Sequence, residues 1–270
     1  MSRLTVDVQG VGLLGPGLAC WAAAREVLAG RAVYVAAPTV LPAPQRLPSA
    51  ERRRAGAAIK LAMAVADEAV VHANVDPSRL ASVFTASSGE GAICHALCES
   101  LAGADRLVSP TRFTNSVHNA AAGYWHIAVV SHAASTSLCA LDAGFAAGLL
   151  EAAAQVVVSS RPVLLVATDT PYPEPLHATR PLPDNFGLAF VLAPRGSPGS
   201  MATLMLSLAA AEGAPTAFAE AGLETLRGAI PAAAGLTLLQ ALAQGVAERR
   251  IRLPEAQQQH LVVDFSVQSR

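Results

Sequence analysis

Residues 109–169 read SPTRFTNSVHNAAAGYWHIAVVSHAASTSLCALDAGFAAGLLEAAAQVVVSSRPVLLVATD, and the periodicity of this stretch decides the architecture. From Asn115 to His132, small and apolar residues recur at helical spacing at Val117, Ala121, Tyr124, Trp125 and Ala128, which predicts a helix. Ser135 to Ala140 is too short for a helix and reads as a buried strand. From Ala143 to Val158 a second apolar run carries Phe145, Leu149, Leu150, Ala153 and Val157, and predicts a helix buried on most sides. Val163 to Ala167 (VLLVA) is the branched apolar run of a strand covered on both faces. The order is helix, strand, tight turn, helix, strand. Asp142 falls at the turn, where orphan N–H groups and the helix dipole favour a negative charge.

Toward the N-terminus, Leu4 to Gln9 alternates apolar and polar, as a strand does. Gly10-Val11-Gly12-Leu13-Leu14-Gly15 follows, a literal G-x-G-x-x-G that admits a dinucleotide-binding reading. That reading needs an acidic residue about 20 positions on, and none stands between Glu26 and Glu51. Pro16 also interrupts the helix that such a site requires. Pro38, Pro42, Pro44 and Pro48 mark a surface loop, and Ser49 to Asn74 predicts one long helix that opens with Arg52, Arg53 and Arg54. The arginines suit a solvated first turn or a contact for an acidic carrier protein. Ala81 to Ala86 is a strand, Ser87 to Gly91 a small-residue turn expected to need a positive φ, and Ala92 to Leu101 a helix. Strands are predicted at Phe186 to Leu192, Met201 to Ala211 and His260 to Val267, and a helix at Leu236 to Glu248.

Composition narrows the class. Of the 270 residues, 52% are hydrophobic and 14% charged, and the mean hydropathy is +0.40. So much apolar surface needs a large core, or a partner that covers part of it. A net charge of −1 gives no basis for binding a phosphate backbone. Cysteines at 20, 94, 98 and 139 do not form a secreted disulfide framework. Cys94 and Cys98 flank His95 one helical turn apart; the bland reading is two thiols packed in an Ala-rich helix, the sharper one half of a metal site. Residues 11–24 resemble an export signal only faintly, and no run is clean enough to span a membrane, so the expected location is the cytoplasm.

With these elements in place, the chain resembles the β-ketoacyl synthase branch of the thiolase-like superfamily. Ser109-Pro110, Asn119, Ala122-Gly123, the strand, the turn and VLLVA stand in that family's order. Gly10, Gly12, Pro16, Trp21 and Leu28-Ala29-Gly30 match its N-terminus, and Arg180-Pro181-Leu182-Pro183-Asp184 a segment ahead of one of its strands. The resemblance implies an α/β, thiolase-like layered αβαβα fold, one domain over 1–270. Residues 1–195 would form the ketosynthase-like half and 196–270 a shortened C-terminal half.

The resemblance also places Asp142 where the family keeps its nucleophilic Cys, with Cys139 three residues upstream in the strand. The family's second half supplies two His and a Lys; here that portion holds His260 alone, and the single Lys of the chain is Lys60. Condensation needs a thiolate to hold the acyl group and imidazoles to stabilise the enolate and oxyanion. A carboxylate is a poor acyl acceptor. The implied role is therefore a non-catalytic subunit, a chain length factor. Such a subunit pairs with an active β-ketoacyl-acyl carrier protein synthase and helps to shape its elongation tunnel, as in aryl polyene, polyketide and fatty-acid-like pathways. Ser135, Thr136, Ser137, Leu138, Cys139, Asp142 and Phe145 are the expected interface and tunnel residues, the strand at 135–140 pairing with its counterpart across the dimer. No catalytic residue, cofactor or metal is expected. The expected partners are a ketosynthase and, through it, an acyl carrier protein, with no nucleic acid and no membrane. The competing enzyme reading is a minimal ketosynthase or malonyl-thioester decarboxylase that uses Cys139 or Asp142 with His118 or His126.

Overall fold

In a computed structural model that describes residues 3–254 and 259–268, β1 (Leu4–Leu14) runs straight through Gly10 and Gly12. The register shifts between Val8 and Gly10, so Gln9 is an extra residue in the strand. That bulge reverses the alternation. Val6 and Val8 before it and Val11 and Leu13 after it therefore all face one core. Gly10 and Gly12 face the other way, against the backbone of α3 (Ala57–Ala73). A Cβ at Gly10 would stand 2.2 Å from the Ala69 carbonyl oxygen, and one at Gly12 1.9 Å from that of Val65. The glycines let a helix lie directly on a strand. The motif is thus inside a strand and forms no phosphate-cradling loop, which corrects the dinucleotide-binding reading.

Between β1 and α3 come α1 (Trp21–Leu28) and α2 (Ser49–Arg54). The helix expected over 49–74 is broken because Ala55 and Gly56 are extended. After α3 the chain continues with β2 (Ala81–Ala86), α4 (Gly91–Ala102), α5 (Pro110–Asn115), α6 (Ala120–Val129) and β3 (Ser135–Cys139). A 3₁₀ turn at Leu141–Ala143 leads into α7 (Gly144–Ser159), followed by β4 (Val163–Asp169), the short α8 (Leu176–Thr179) and β5 (Phe186–Pro194). The last part holds β6 (Ala202–Ala210), α9 (Ala221–Ala229), a 3₁₀ turn at Pro231–Gly235, α10 (Leu236–Gln244), β7 (Glu248–Pro254) and β8 (Gln259–Val267). The helix expected over 115–132 is shortened to α6, and its first residue, Asn115, instead ends α5. The buried Asn115 side chain accepts from the Tyr124 hydroxyl.

The strands form one sheet in the order β3-β2-β4-β5-β1-β6-β8-β7, in which β3, β2 and β4 are parallel and the other pairs antiparallel. Helices α3 and α6 cover one face, packing Ile59, Leu61, Val65 and Trp125 on Leu164, Val166 and Val191. On the opposite face, α7, α1, α9, α10 and the 231–235 turn pack Phe145, Leu149, Leu226 and Leu239 on Leu165, Phe190, Leu204 and Val263. This is the layered α/β arrangement that the resemblance implies. The stretch Leu141–Ser159 has the length and apolarity of a membrane span, more than the sequence reading allowed. Its helix α7 instead buries Phe145, Leu149, Ala153 and Val156 against the sheet, as the core helix of a globular protein does.

Candidate functional site

The parallel strands β2, β3 and β4 end together, Ala86 beside Cys139 and Thr85 beside Ala167. A narrow cavity of about 40 Å³ opens at those ends, lined by Ser87, Glu90, His118, Cys139, Asp169 and Tyr172 among others. A space of that size admits one or two waters and no acyl chain. Two close approaches shape it. A Cβ on Gly89 would lie 3.2 Å from His118, and one on Gly91 3.0 Å from the Tyr172 ring. Neither glycine has a positive φ. The 87–91 turn is therefore glycine-rich for space and not for handedness, contrary to expectation.

Asp169 is the hub. Its Oδ1 accepts from the Ser87 amide (2.8 Å) and hydroxyl (2.6 Å), and its Oδ2 from the Ala232 amide (2.8 Å). The Ser87 hydroxyl also lies 3.1 Å from that of Tyr172. Burial raises the Asp169 pKa, and the three donors oppose it without cancelling it. Glu90 is 6% exposed, its Oε2 has no hydrogen-bond partner among the described residues, and burial raises its pKa as well.

An acid whose folded pKa lies above its unfolded value binds more protons in the native state across that interval, so its contribution falls as pH rises through it. Glu90→Gln removes the ionisation and keeps the shape. The variant is expected to be more stable than wild type near neutral pH, by about 1.4 kcal/mol for each pK unit of the shift. The gain should vanish below the unfolded carboxylate range. Urea unfolding at a series of pH values checks this; a pH-independent difference would show that Glu90 is not ionising at the cost of stability.

Cys139 ends β3, and α7 begins only at Gly144, so the thiol lacks a helix N-terminus to lower its pKa. Burial, and then Asp169, push that pKa up. Asp142 does not sit in a buried corner. Leu141, at φ 48°, turns the chain outward, and the Asp142 side chain is 80% exposed. It makes no cap to α7 and accepts instead from Arg180 Nη2 at 2.6 Å. Phe145 is buried in the core, its ring centroid 6.4 Å from that of Phe190, and offers no surface to a partner.

Strand β3 is also not the buried strand that was expected. It stands at the sheet edge, paired only with β2, and Ser135 and Cys139 are exposed. Ser135 and His126 both reach Ser82 Oγ, at 3.0 and 3.1 Å, and Thr136 accepts from Gln155. Beside this edge lies an open groove of about 440 Å³ with His118, Gly123, His126, Ser135 and Ser137. His118 thus borders both cavities, whereas His126 borders only the outer one. His260 is buried on β8 and lines neither.

The flanking helices leave apolar side chains in solvent. Nothing on α4 is buried, and Phe113, Val117, Ile127, Val130 and Leu141 are all exposed. Cys94 and Cys98 lie on this open surface and are not packed; Cys94 donates to the Ser116 carbonyl and His95 pairs with Glu99. No group of three potential metal ligands comes together among the described residues. Of the arginine trio, Arg52 donates to the Gln45 and Leu47 carbonyls, Arg54 pairs with Glu51, and Arg53 is exposed.

Sequence reasoning gave no site role to Glu90, Asp169 or Tyr172, and named Arg180 only within the segment that resembles the family. The one legible signal was Asp169, a lone acid that closes a largely apolar strand.

A family model described as the N-terminal domain of β-ketoacyl synthase matches residues 21–260, and the chain belongs to that family. No curated protein matches it. Among solved structures, a ketosynthase in complex with its chain length factor from Xenorhabdus doucetiae is 21% identical, with a TM-score of 0.70 over 97% of this chain and 99% of that one. The ishigamide ketosynthase/chain length factor is 12% identical, with a TM-score of 0.74 over 98% and 100%. A type II polyketide synthase acyl carrier protein in complex with its hexaketide-bound ketosynthase is 13% identical, with a TM-score of 0.72 over 98% and 99%. At these identities the likeness is one of fold.

Proposed function

We propose that this member of the β-ketoacyl synthase family is a chain-length-factor-type subunit that works by pairing with a competent β-ketoacyl-acyl carrier protein synthase. The observation that carries the reading is β3. Its outer edge has no strand partner among the described residues, exposed apolar side chains flank it, and it ends in a thiol that lines one cavity with Glu90 and Asp169. An unpaired edge is a template for another chain, and exposed apolar residues beside it favour a hydrophobic interface. A thiol whose pKa is raised by burial, and then by Asp169, is a poor nucleophile at neutral pH. Similar structures that contain ketosynthase and chain length factor together support the pairing. On this reading residues 1–195 are the ketosynthase-like half and 196–270 an abbreviated one. Ser135 to Cys139 meet the partner, which supplies the condensing site, and an acyl carrier protein reaches the pair through it.

The test is co-expression with a ketosynthase and assay of acyl carrier protein substrates. We expect unit stoichiometry in the complex, no elongation by this chain alone, and no loss of elongation by the pair on Cys139→Ala. Elongation by the isolated chain that disappears in Cys139→Ala would overturn the reading. One observation favours the enzyme alternative, in which Cys139 acts in a minimal ketosynthase or malonyl-thioester decarboxylase: Cys139 and His118 border the same cavity. An acyl adduct on Cys139, found by mass spectrometry after incubation with an acyl thioester, would decide for it.

A further inference from the structure

A polar chain runs from the β3–α7 turn to the last part of the molecule. Asp142 accepts from Arg180, near the far end of the segment that begins at Tyr172; Tyr172 meets Ser87; Ser87 donates to Asp169; and Asp169 accepts from the Ala232 amide. Burial alone would lower the Arg180 pKa, but its hydrogen bond to Asp142, and then Tyr172, outweigh burial and raise it. The segment between β4 and β5 is fixed at its two ends and hardly in the middle. Tyr172 and Leu182 are buried, and Asp184 accepts from the Thr39 amide. From Pro173 to Pro181 the side chains are mostly in solvent. Within that span, the hydrogen bonds made by His177, Ala178, Thr179 and Arg180 amides or hydroxyls stay local, and the Asp142–Arg180 pair is the one long-range polar tie among the described residues.

We infer that Asp142 is the latch of a strap formed by residues 173–181, and that its ion pair with Arg180 holds this strap, which directly follows Tyr172, a wall of the small cavity beside Ser87. Asp142 thereby has a positioning role and no chemical one. An ion pair with one partner largely in solvent is weak and screened by salt, so the strap is poised to open. Opening loosens the chain next to Tyr172 and so widens a cavity that is otherwise too small for more than water. The inference concerns the isolated chain and stands whether or not a ketosynthase pairs with it.

Hydrogen–deuterium exchange on the purified chain tests it. The His177, Ala178 and Arg180 amides donate to Pro173 O, Glu174 Oε2 and Leu176 O, so they report strap opening. In Asp142→Asn, and separately in Arg180→Gln, their exchange should rise about five-fold, the size expected for loss of an exposed ion pair. Molar sodium chloride should move wild type the same way. The double variant Asp142→Arg with Arg180→Asp should restore slow exchange. Peptides from β4 and β5 should not change. Unchanged strap exchange in both single variants, or an equal rise in β4 and β5, would overturn the latch.

Discussion

Gly12→Ala is expected to cost the fold more than about 4 kcal/mol, or to leave no folded protein. Ordinary overpacking in a core costs about 1–3 kcal/mol, because side chains yield by changing rotamer. Here nothing can yield. The added methyl would stand 1.9 Å from the Val65 carbonyl oxygen, 2.8 Å from its carbon and 3.0 Å from the Ala69 nitrogen, all backbone atoms of α3. Relief requires lifting α3 from β1. That helix also packs on β4 and β5 and brings Ile59, Leu61 and Val65 to the core between them. It further carries Glu68, whose carboxylate accepts from the Leu13 and Trp21 amides at 2.8 and 2.7 Å and so fixes the entry to α1. The control is Gly123→Ala on α6, where an added Cβ meets nothing within 4 Å. Helix propensity predicts that this variant is neutral or up to about 1 kcal/mol more stable. Urea unfolding followed by circular dichroism compares the two. Equal stability of Gly12→Ala and wild type would mean that α3 does not rest on the strand.

The same residues show what the sequence could and could not disclose. Gly10 and Gly12 stood out, but a linear pattern carries no sign that Val65 and Ala69, on a helix much later in the chain, lie on them. The bulge at Gln9 was hidden as well, since it shows only in the register with β5. The unbroken apolar run VLLVA and the apolar run through α7 were legible because burial on both faces leaves one composition. Period-2 spacing at Arg250, Ile251, Arg252 and Leu253 does mark β7, yet no strand was expected there, and the helical reading of 236–248 ran to its first residue. That helix stops at Gln244 because Gly245 takes the left-handed φ of 63°. Helix α9 was missed although Glu220 caps it, accepting from the Gly222 and Leu223 amides. At the candidate site, chain order put Cys139 in the strand and Asp142 in the turn ahead of the helix, and both stand there. Their exposure was not readable, because edge position depends on strand order and strand order on long-range pairing.

Asp169→Ala is expected to be the most damaging single change at the candidate site, by about 3–5 kcal/mol. The carboxylate satisfies two backbone amides from distant parts of the chain, Ser87 at the end of β2 and Ala232 in the 231–235 turn. Removing it leaves both N–H groups buried without an acceptor, at about 1–3 kcal/mol each. The Ser87 hydroxyl is less affected, since it can turn to Tyr172. Asp169→Asn should cost less than the alanine change. One amide oxygen still accepts from one of the two N–H groups, while the NH₂ opposes the other. The two variants also separate acceptor loss from charge. Burial raises the Asp169 pKa, so the native state holds its proton across an interval where the unfolded chain has lost it. Wild-type stability therefore falls as pH rises through that interval, and this slope should be absent in Asp169→Asn. The deficit of the asparagine variant should be largest at acid pH and shrink toward neutrality. Denaturant midpoints across the acid-to-neutral range measure it. A deficit that instead grows with pH would mean that the three donors outweigh burial and that Asp169 is held as the anion.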